Sequence, residues 1–408
     1  MGCFSRSSPA SGKGPCVACC RGEKAKDDQL ATAAQARIAV LTGQPGAATS
    51  APNARTGSDC ARQARTLAPV AQRFDRYRQA LPSARAAADL NELGDKPGDE
   101  PSSKPCLTRL PVQADKLNDT LGLKPGTIKD SDLRNDDTGF RAALYRDEGT
   151  GEMILVPRDT QPDSLVDWEA NTRNGVGLDT PQYQAMRGLT GKLASNDQVF
   201  DIAGYSKGGG LAQEGGLVNQ AAQVRLFNSA GLPDASLART ARSDFGGLIS
   251  RTRAFSAEGE FLTFMNTTTD PGQNIINARF LRRELAGEGP GLNPIDIKVR
   301  NPAMRGVDDP QFAADKQSYL HELDQQIDGM QTAYDTGGTV ATFPPVRASS
   351  KETVFDSMTL AGQALGARGD QPTLGKLAQH KMSVVLDAME KDVANDRKSL
   401  SDFMVKCG

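Results

Sequence analysis

The sequence predicts an α/β fold in which a mainly parallel sheet is flanked by helices. From about residue 107 onward, short apolar runs typical of buried strands alternate with longer segments of helical periodicity. Strands separated by helices of this length form βαβ units, which build parallel sheets. Predicted strands cover residues 199–203, 224–228 and 252–257, with a weaker candidate at 295–300. Predicted helices in this part of the chain cover residues 181–193, 208–222, 317–334 and 374–393.

A β-hairpin precedes these units. Residues 142–145 and 153–156 are two apolar runs, and the turn Glu148-Gly149-Thr150-Gly151 lies between them. Two strand-like runs separated by a short segment rich in glycine are typical of a hairpin. We therefore expect the sheet to begin with an antiparallel pair.

The composition is that of a globular protein and excludes some functions. The 408 residues include 48 lysines and arginines against 50 acidic residues, for a formal charge of −2. This near-balance argues against a nucleic-acid partner, which requires a basic excess. No run of about 18 apolar residues indicates a transmembrane helix, and the N-terminus lacks the apolar region of an ordinary signal peptide.

The cysteine pattern favours reduced thiols. The seven cysteines are an odd number, four of them fall within the first twenty residues, and no paired spacing indicates a zinc site. We therefore expect a protein of a reducing compartment. The cysteines are Cys3, Cys16, Cys19, Cys20, Cys60, Cys106 and Cys407.

Three regions follow from local composition. Residues 1–58 are rich in Ser, Gly, Pro and Ala, which predicts disorder apart from one Ala-rich, helix-prone run at 28–41. Residues 59–106 predict a helical segment interrupted at Pro82, followed by a polar linker. Residues 107–408 carry the α/β pattern, with a helical insertion at about 301–372.

The most specific motif is Gly204-Tyr205-Ser206-Lys207-Gly208, which has the form G-x-S-x-G. A predicted strand leads into it and a glycine-rich helix leads out. A serine on such a tight turn projects its hydroxyl above the sheet edge, where it can act as a nucleophile. The alternative is a plain glycine-rich turn of a parallel sheet.

The residues around this motif resemble the class 3 lipases, which are α/β-hydrolases. Residues 204–212 resemble that family's G-H-S-L-G-G-x-L-A elbow, residues 156–160 its F-R-G-[ST] strand end, and residues 227–232 its F-N-x-x-G-L segment. Its D-W…N…G segment is similar to Asp167-Trp168, Asn171 and Gly175. The resemblance covers about residues 138 to 395. Tyr205, Lys207 and Asp159 replace residues common in the family.

A serine nucleophile needs a base and an acid that orients it. Only two histidines exist, and both follow Ser206. His380 matches the family's H-x-M segment, which implies that it is the base, whereas His321 lies in a charged helical stretch typical of a solvated imidazole. The family's G-[DE]-x-[LV]-[ST] pattern implies Glu260 as the acid, with Asp270 as the alternative.

The remaining groups complete an acyl-transfer site. The backbone N–H of Lys207 is available to the oxyanion by position, and the resemblance implies that Thr160 supplies the second donor. Such a site requires no metal and no cofactor.

The N-terminal residues predict lipidation and targeting to a membrane. Gly2 occupies the myristoylation position and Cys3 a common palmitoylation position, although Arg6 stands where Ser or Thr is usual. The start also resembles the Met-Gly-Cys starts of type III effectors of plant-pathogenic bacteria. The resemblance implies a protein secreted without a cleaved signal and acting in the host cytoplasm or at a host membrane, with a secretion chaperone among its partners.

Together these features predict a serine hydrolase that cleaves acyl esters of membrane lipids, with a lipid substrate and a host membrane surface as partners. Two alternatives stay open. One is a weakly active or inactive hydrolase fold that binds lipid or a host protein, because a fold alone does not establish an activity. The other is a serine enzyme acting on a thioester or a peptide.

Overall fold

The chain is described by a computed structural model that covers residues 17–43, 54–93, 101–159, 180–232, 251–257, 351–354 and 382–408. Isolated positions between 236 and 250 and between 321 and 335 are also described. All statements about structure below refer to these residues.

Seven helices and eight strands form the described fold. The helices are α1 Val17–Thr42, α2 Ala54–Leu93, α3 Ala114–Leu121, α4 Asp130–Leu133, α5 Pro181–Ala194, α6 Lys207–Val218 and α7 Met382–Cys407. The strands are β1 Leu107–Arg109, β2 Arg134–Asn135, β3 Phe140–Asp147, β4 Met153–Pro157, β5 Phe200–Tyr205, β6 Val224–Phe227, β7 Thr252–Ala257 and β8 Lys351–Val354.

The sheet is mixed and largely parallel, as predicted. Its strands follow the order β1-β3-β4-β5-β6-β7-β8, and the two-residue β2 pairs with β3 beside this path. Strands β1, β3 and β4 are antiparallel, which confirms the hairpin, and strands β4 to β8 are parallel. Strand β8 was not predicted. It lies within the segment 301–372 that the sequence predicts to be a helical insertion, so that prediction is wrong for residues 351–354.

Side chains along each strand point alternately into two hydrophobic cores, because successive residues of a strand face opposite sides of the sheet. Ala143 and Tyr145 face a core shared with α1, α2 and α7. Their neighbours Ala142 and Leu144 face a second core shared with α3, α5 and α6. The result is a three-layer arrangement with helices on both faces, consistent with a hydrolase-like fold.

The predicted disorder of residues 1–58 is wrong for residues 17–27 and 54–58, which belong to α1 and α2, whereas the helix-prone run at 28–41 is confirmed as part of α1. Its buried face is made of small residues, among them Ala31 and Ala34. Composition indicated little apolar surface to bury, but small side chains let α1 pack closely against α2 in the shared core. Ion pairs add to this packing: Asp27 pairs with Arg397 of α7 at 2.6 Å, and Asp28 pairs with Arg78 of α2.

Helix α2 is one continuous helix from Ala54 to Leu93 and contains both Pro69 and Pro82. The predicted interruption at Pro82 is therefore wrong. A proline removes one helical hydrogen bond, but α2 lies between α1 and α7 and its packing on both compensates for the loss. None of the described helices is long and apolar enough to cross a membrane.

Two disulfides overturn the expectation of reduced thiols. Cys20 of α1 is bonded to Cys106, which precedes β1, and Cys60 of α2 is bonded to Cys407 at the end of α7. The partners are 86 and 347 residues apart in the chain. Spacing along the sequence could not reveal such pairs, because they meet only after the helical layer has assembled.

A buried polar cluster fastens α2 to the sheet. The carboxylate of Asp89 accepts hydrogen bonds from Arg109 of β1 at 2.5 Å, from the Tyr145 hydroxyl of β3 at 3.0 Å and from Ser102 at 2.8 Å. Burial, reinforced by the negative charge of Asp89, raises the pKa of Tyr145 well above its ordinary value. The tyrosine therefore remains a hydrogen-bond donor, and the Asp89 charge is fully compensated.

Reduction of the disulfides is expected to destabilise the helical layer. Each closes a long loop, and loss of such a constraint costs about 2–4 kcal/mol. The melting temperature should fall when a reductant is added to the wild type, and by less in a Cys60→Ser/Cys407→Ser variant, which has already lost one bond. An unchanged melting temperature in reductant would contradict this.

Loss of the Asp89 carboxylate is expected to be far more damaging than loss of the tyrosine hydroxyl. Asp89→Leu leaves the Arg109 guanidinium buried without its anion, at a cost of about 3–5 kcal/mol. Tyr145→Phe removes one hydrogen bond while Arg109 still holds the carboxylate, at a cost of about 1–2 kcal/mol. Urea unfolding of both variants measures the two values, and equal effects would argue against a charge-centred cluster.

Candidate active site

Ser206 stands on a strained turn between β5 and α6. Its backbone has φ 54° and ψ −127°, and only three other described residues that are not glycine have a positive φ. Holding such a conformation costs about 1–3 kcal/mol, and conformations of this kind concentrate at functional sites. The strain turns the chain abruptly from strand into helix, as the G-x-S-x-G motif predicts.

Two glycines of the motif are required by close approach of backbone. A Cβ on Gly204 would lie 2.1 Å from the carbonyl oxygen of Gly208, and a Cβ on Gly208 would lie 2.5 Å from the carbonyl oxygen of Pro157. No side chain of any kind fits at either position. The first contact closes the turn around Ser206, and the second brings the start of α6 against the end of β4.

The loop after β6 secures the turn from the other side. The carbonyl of Ser206 accepts hydrogen bonds from the N–H of Gly209 at 3.0 Å and of Ala230 at 2.8 Å. Gln213 of α6 donates to the carbonyl of Ala230 at 3.0 Å. The hydroxyl of Tyr183 of α5 donates to the carbonyl of Gly231 at 3.1 Å. Hydrogen bonds thus join the F-N-x-x-G-L segment to α5 and α6.

The carboxyl ends of four parallel strands meet at this edge of the sheet. Tyr205, Phe227 and Phe255 lie side by side across β5, β6 and β7. On the other side of β5, β4 runs in parallel and ends at Pro157, beside the start of α6. Ligands of open parallel sheets bind at this end of the strands, so Ser206 lies where such a site is expected.

Lys207 is the first residue of α6, and its amide therefore points out of the helix N-terminus, where the partial positive charge favours an anion. The predicted site gives no role to the Lys207 side chain. It is 2% exposed, beside a Ser206 that is itself 7% exposed.

The other predicted site residues lie outside the described part of the chain. They are Thr160, Glu260, Asp270 and His380, and the predicted lipidation residues Gly2 and Cys3 lie outside it as well. For two of them the structure describes the chain just before the predicted residue. Residue 159 is the last described residue before Thr160, and β7 ends at Ala257, three residues before Glu260.

Helix α7 follows His380 in the sequence. It begins two residues later at Met382, which is buried in the same core as Tyr205 and Phe255. The alternative histidine, His321, is exposed and bonds to Gln325 on its own helical segment at 2.9 Å. This agrees with the prediction of a solvated imidazole.

One contact at this edge could not be found in the sequence. The carboxylate of Asp159, just beyond β4, accepts two hydrogen bonds from the Asn91 side-chain amide, at 2.7 and 3.0 Å, with the amide oriented so that its nitrogen faces the acid. Asn91 lies in the last turn of α2, which the sequence predicts to be a segment separate from the catalytic region. Asn91 belongs to no recognisable motif, so the sequence contains no signal for this contact.

A cavity lies at the opposite, amino edge of the sheet. It has a volume of about 370 Å³ and is lined by charged residues that include Asp201 and Arg225. Burial raises the pKa of Asp201 and lowers that of Arg225. Asp201 is five residues from Ser206 along β5, or about 16 Å, so this cavity is separate from the nucleophile. Within the described residues no group of three or more His, Cys, Asp or Glu could hold a metal ion.

Comparison with known families bears on this site. A family model described as a Tle-like phospholipase domain matches residues 95–287, just under half of the chain. No curated protein sequence matches the chain. The matched segment includes Thr160, Ser206, Lys207, Glu260 and Asp270 but neither His380 nor helices α1, α2 and α7. The match supports a phospholipase-type hydrolase that acts on lipid esters.

Proposed function

We propose that the protein is a serine hydrolase of the α/β-hydrolase type that cleaves acyl esters of membrane phospholipids. The strained backbone of Ser206 supports this proposal most directly, because φ 54° combined with ψ −127° lies outside even the left-handed region that ordinary turn residues occupy. The similarity to a phospholipase domain over residues 95–287 supports the substrate class. The motifs shared with class 3 lipases support the same chemistry.

In the proposed reaction Ser206 attacks the ester carbonyl while His380 accepts its proton. The imidazolium then protonates the leaving alcohol, and a water activated by His380 releases the fatty acid. Glu260 orients the imidazole and stabilises its charge, with Asp270 as the alternative acid. The backbone N–H groups of Lys207 and Thr160 bind the oxyanion. The position of Lys207 at the N-terminus of α6 supports its part.

A second candidate is a lipid- or protein-binding role on an inactive hydrolase fold. One observation favours it: Asp159, which immediately precedes Thr160 in the sequence, brings a carboxylate to the end of β4, where a negative charge would oppose an oxyanion. The hydrogen bonds from Asn91 hold this carboxylate and reduce the conflict. Catalysis is therefore the leading proposal, and a labelling experiment separates the two.

The biological setting is a proposal of its own. We infer from the N-terminal residues that a bacterium delivers the protein into a host cell, where acylation of Gly2 and Cys3 tethers it to a membrane. A secretion chaperone and the host membrane surface are its proposed partners. Cys20 is bonded to Cys106, so it is not available for acylation in the oxidised protein. The two disulfides count against this setting, because disulfides persist in oxidising compartments whereas the cytoplasm of a host cell is reducing.

The first prediction concerns the nucleophile. A fluorophosphonate probe should label the wild type and should not label Ser206→Ala. His380→Ala should lower the labelling rate by about a thousandfold or more, because the base and the nucleophile act as a unit. His321→Ala is the matched control and should label like the wild type. Absence of labelling, both with and without phospholipid vesicles, would favour the binding role.

The second prediction separates the candidate acids and the substrate classes. Glu260→Gln should lower fatty-acid release from phospholipid vesicles by about a hundredfold or more, whereas Asp270→Asn should change it little. The reverse order would transfer the role of the acid to Asp270. Labelled enzyme that hydrolyses thioesters or peptides but not phospholipids would contradict the proposed substrate.

The third prediction concerns the N-terminus. In host cells Gly2→Ala should shift the protein from membrane to soluble fractions, because myristoylation requires that glycine. Cys3→Ser should weaken membrane retention while leaving myristate incorporation intact. An unchanged distribution of Gly2→Ala would contradict the proposed acylation without bearing on the hydrolase chemistry.

A further inference from the structure

Helix α2 reaches the edge of the sheet that carries Ser206. Its last turn contains Asn91, whose side-chain nitrogen donates to both carboxylate oxygens of Asp159, at 2.7 and 3.0 Å. Asp159 is 9% exposed. Hydrogen bonds to a buried charged group are among the stronger ones in proteins. The contact joins a helix outside the phospholipase-like segment to the strand end inside it.

The contact fixes a short stretch of chain that is already constrained on its other side. The N–H of Arg158 donates to the carbonyl of Arg141 on β3 at 2.8 Å. The carbonyl of Pro157 lies against Gly208 of α6. With Asn91 holding Asp159, three consecutive residues are held by three different elements. The next residue is Thr160, whose backbone N–H is the proposed second oxyanion donor.

Helix α2 is a firm support at this point. Two residues before Asn91, the buried carboxylate of Asp89 is bound by Arg109 of β1 and Tyr145 of β3. The end of α2 is thereby fastened to the sheet itself. A donor on a loop would move with the loop, whereas a donor on this helix has a position set by the core.

We propose that Asn91 is a positioning residue for the oxyanion hole. It holds the Asp159 carboxylate and so fixes the end of β4, which lies against the start of α6 and immediately precedes Thr160 in the sequence. It also keeps the negative charge of Asp159 directed toward α2 and away from the oxyanion. This inference rests on the proposed hydrolase function and extends it to a helix that no motif connects to the site.

The test compares two single variants of Asn91 with a double variant that exchanges the side chains of Asn91 and Asp159. Asn91→Asp places two carboxylates against each other, and Asn91→Ala removes the donor without adding charge. Because a misplaced donor weakens binding of the transition state alone, kcat for hydrolysis of a p-nitrophenyl ester should fall about 10- to 100-fold with KM nearly unchanged. The variant Asn91→Asp/Asp159→Asn restores a donor and an acceptor in reversed order. It should recover kcat to within about fivefold of the wild type.

Controls separate positioning from folding. Glu92→Gln changes the neighbouring residue, which pairs with Lys104 on the helix surface, and should leave kcat unchanged. Thermal unfolding of every variant shows whether lost activity follows lost structure. Asn91→Asp and Asn91→Ala should both show the fall in kcat while folded at the assay temperature.

Three outcomes would overturn the inference. Wild-type kcat in the two Asn91 variants would show that the contact is incidental. A double variant that recovers the melting temperature but not kcat would show a structural role alone. A wild type inert toward both the ester and the fluorophosphonate probe would refute the proposed function and this inference with it, whereas the first two outcomes leave the proposed function standing.

Discussion

The close approach of three backbone segments around Ser206 is the constraint on which the rest of the site depends. The start of α6 lies so near the turn and the end of β4 that no Cβ fits at Gly204 or Gly208. This contact allows a non-glycine residue to remain at φ 54°, because surrounding hydrogen bonds and packing offset the strain. It also brings the first amide of α6 beside the strand end that precedes Thr160. Ser206, the first amide of α6 and the end of β4 are therefore parts of one packed unit.

The second requirement is the helical layer of α1, α2 and α7, which lies outside the segment similar to phospholipases. Disulfides link α2 to α7 and α1 to the residue before β1. Arg73 of α2 also pairs with the buried Asp396 of α7 at 2.6 Å. Helix α7 follows His380 directly, and α2 carries Asn91. A layer that covers one face of the sheet thus also supports the end of β4 beside Ser206.

The structure shows where two residues lie that depart from the class 3 lipase pattern. Asp159 replaces a residue that is usually glycine, and an uncompensated carboxylate there would oppose the oxyanion. Its hydrogen bonds to Asn91 direct it toward α2. Lys207, which replaces a leucine, has a side chain that is 2% exposed at the same edge. Two charged residues at the edge that carries Ser206 are thus both buried.

The sequence by itself determined the features that are local. The alternation of apolar runs predicted the hairpin and strands β5 to β7, since a strand has a period of two wherever it lies in the fold. The glycines around Ser206 predicted the elbow, since the turn needs them within five residues. Tertiary structure alone decided the disulfides, the packing of the Ala-rich α1, strand β8 and the contact between Asn91 and Asp159. Each of these depends on groups far apart in the chain or on small side chains whose burial only a partner surface makes favourable, and no local pattern records such partners.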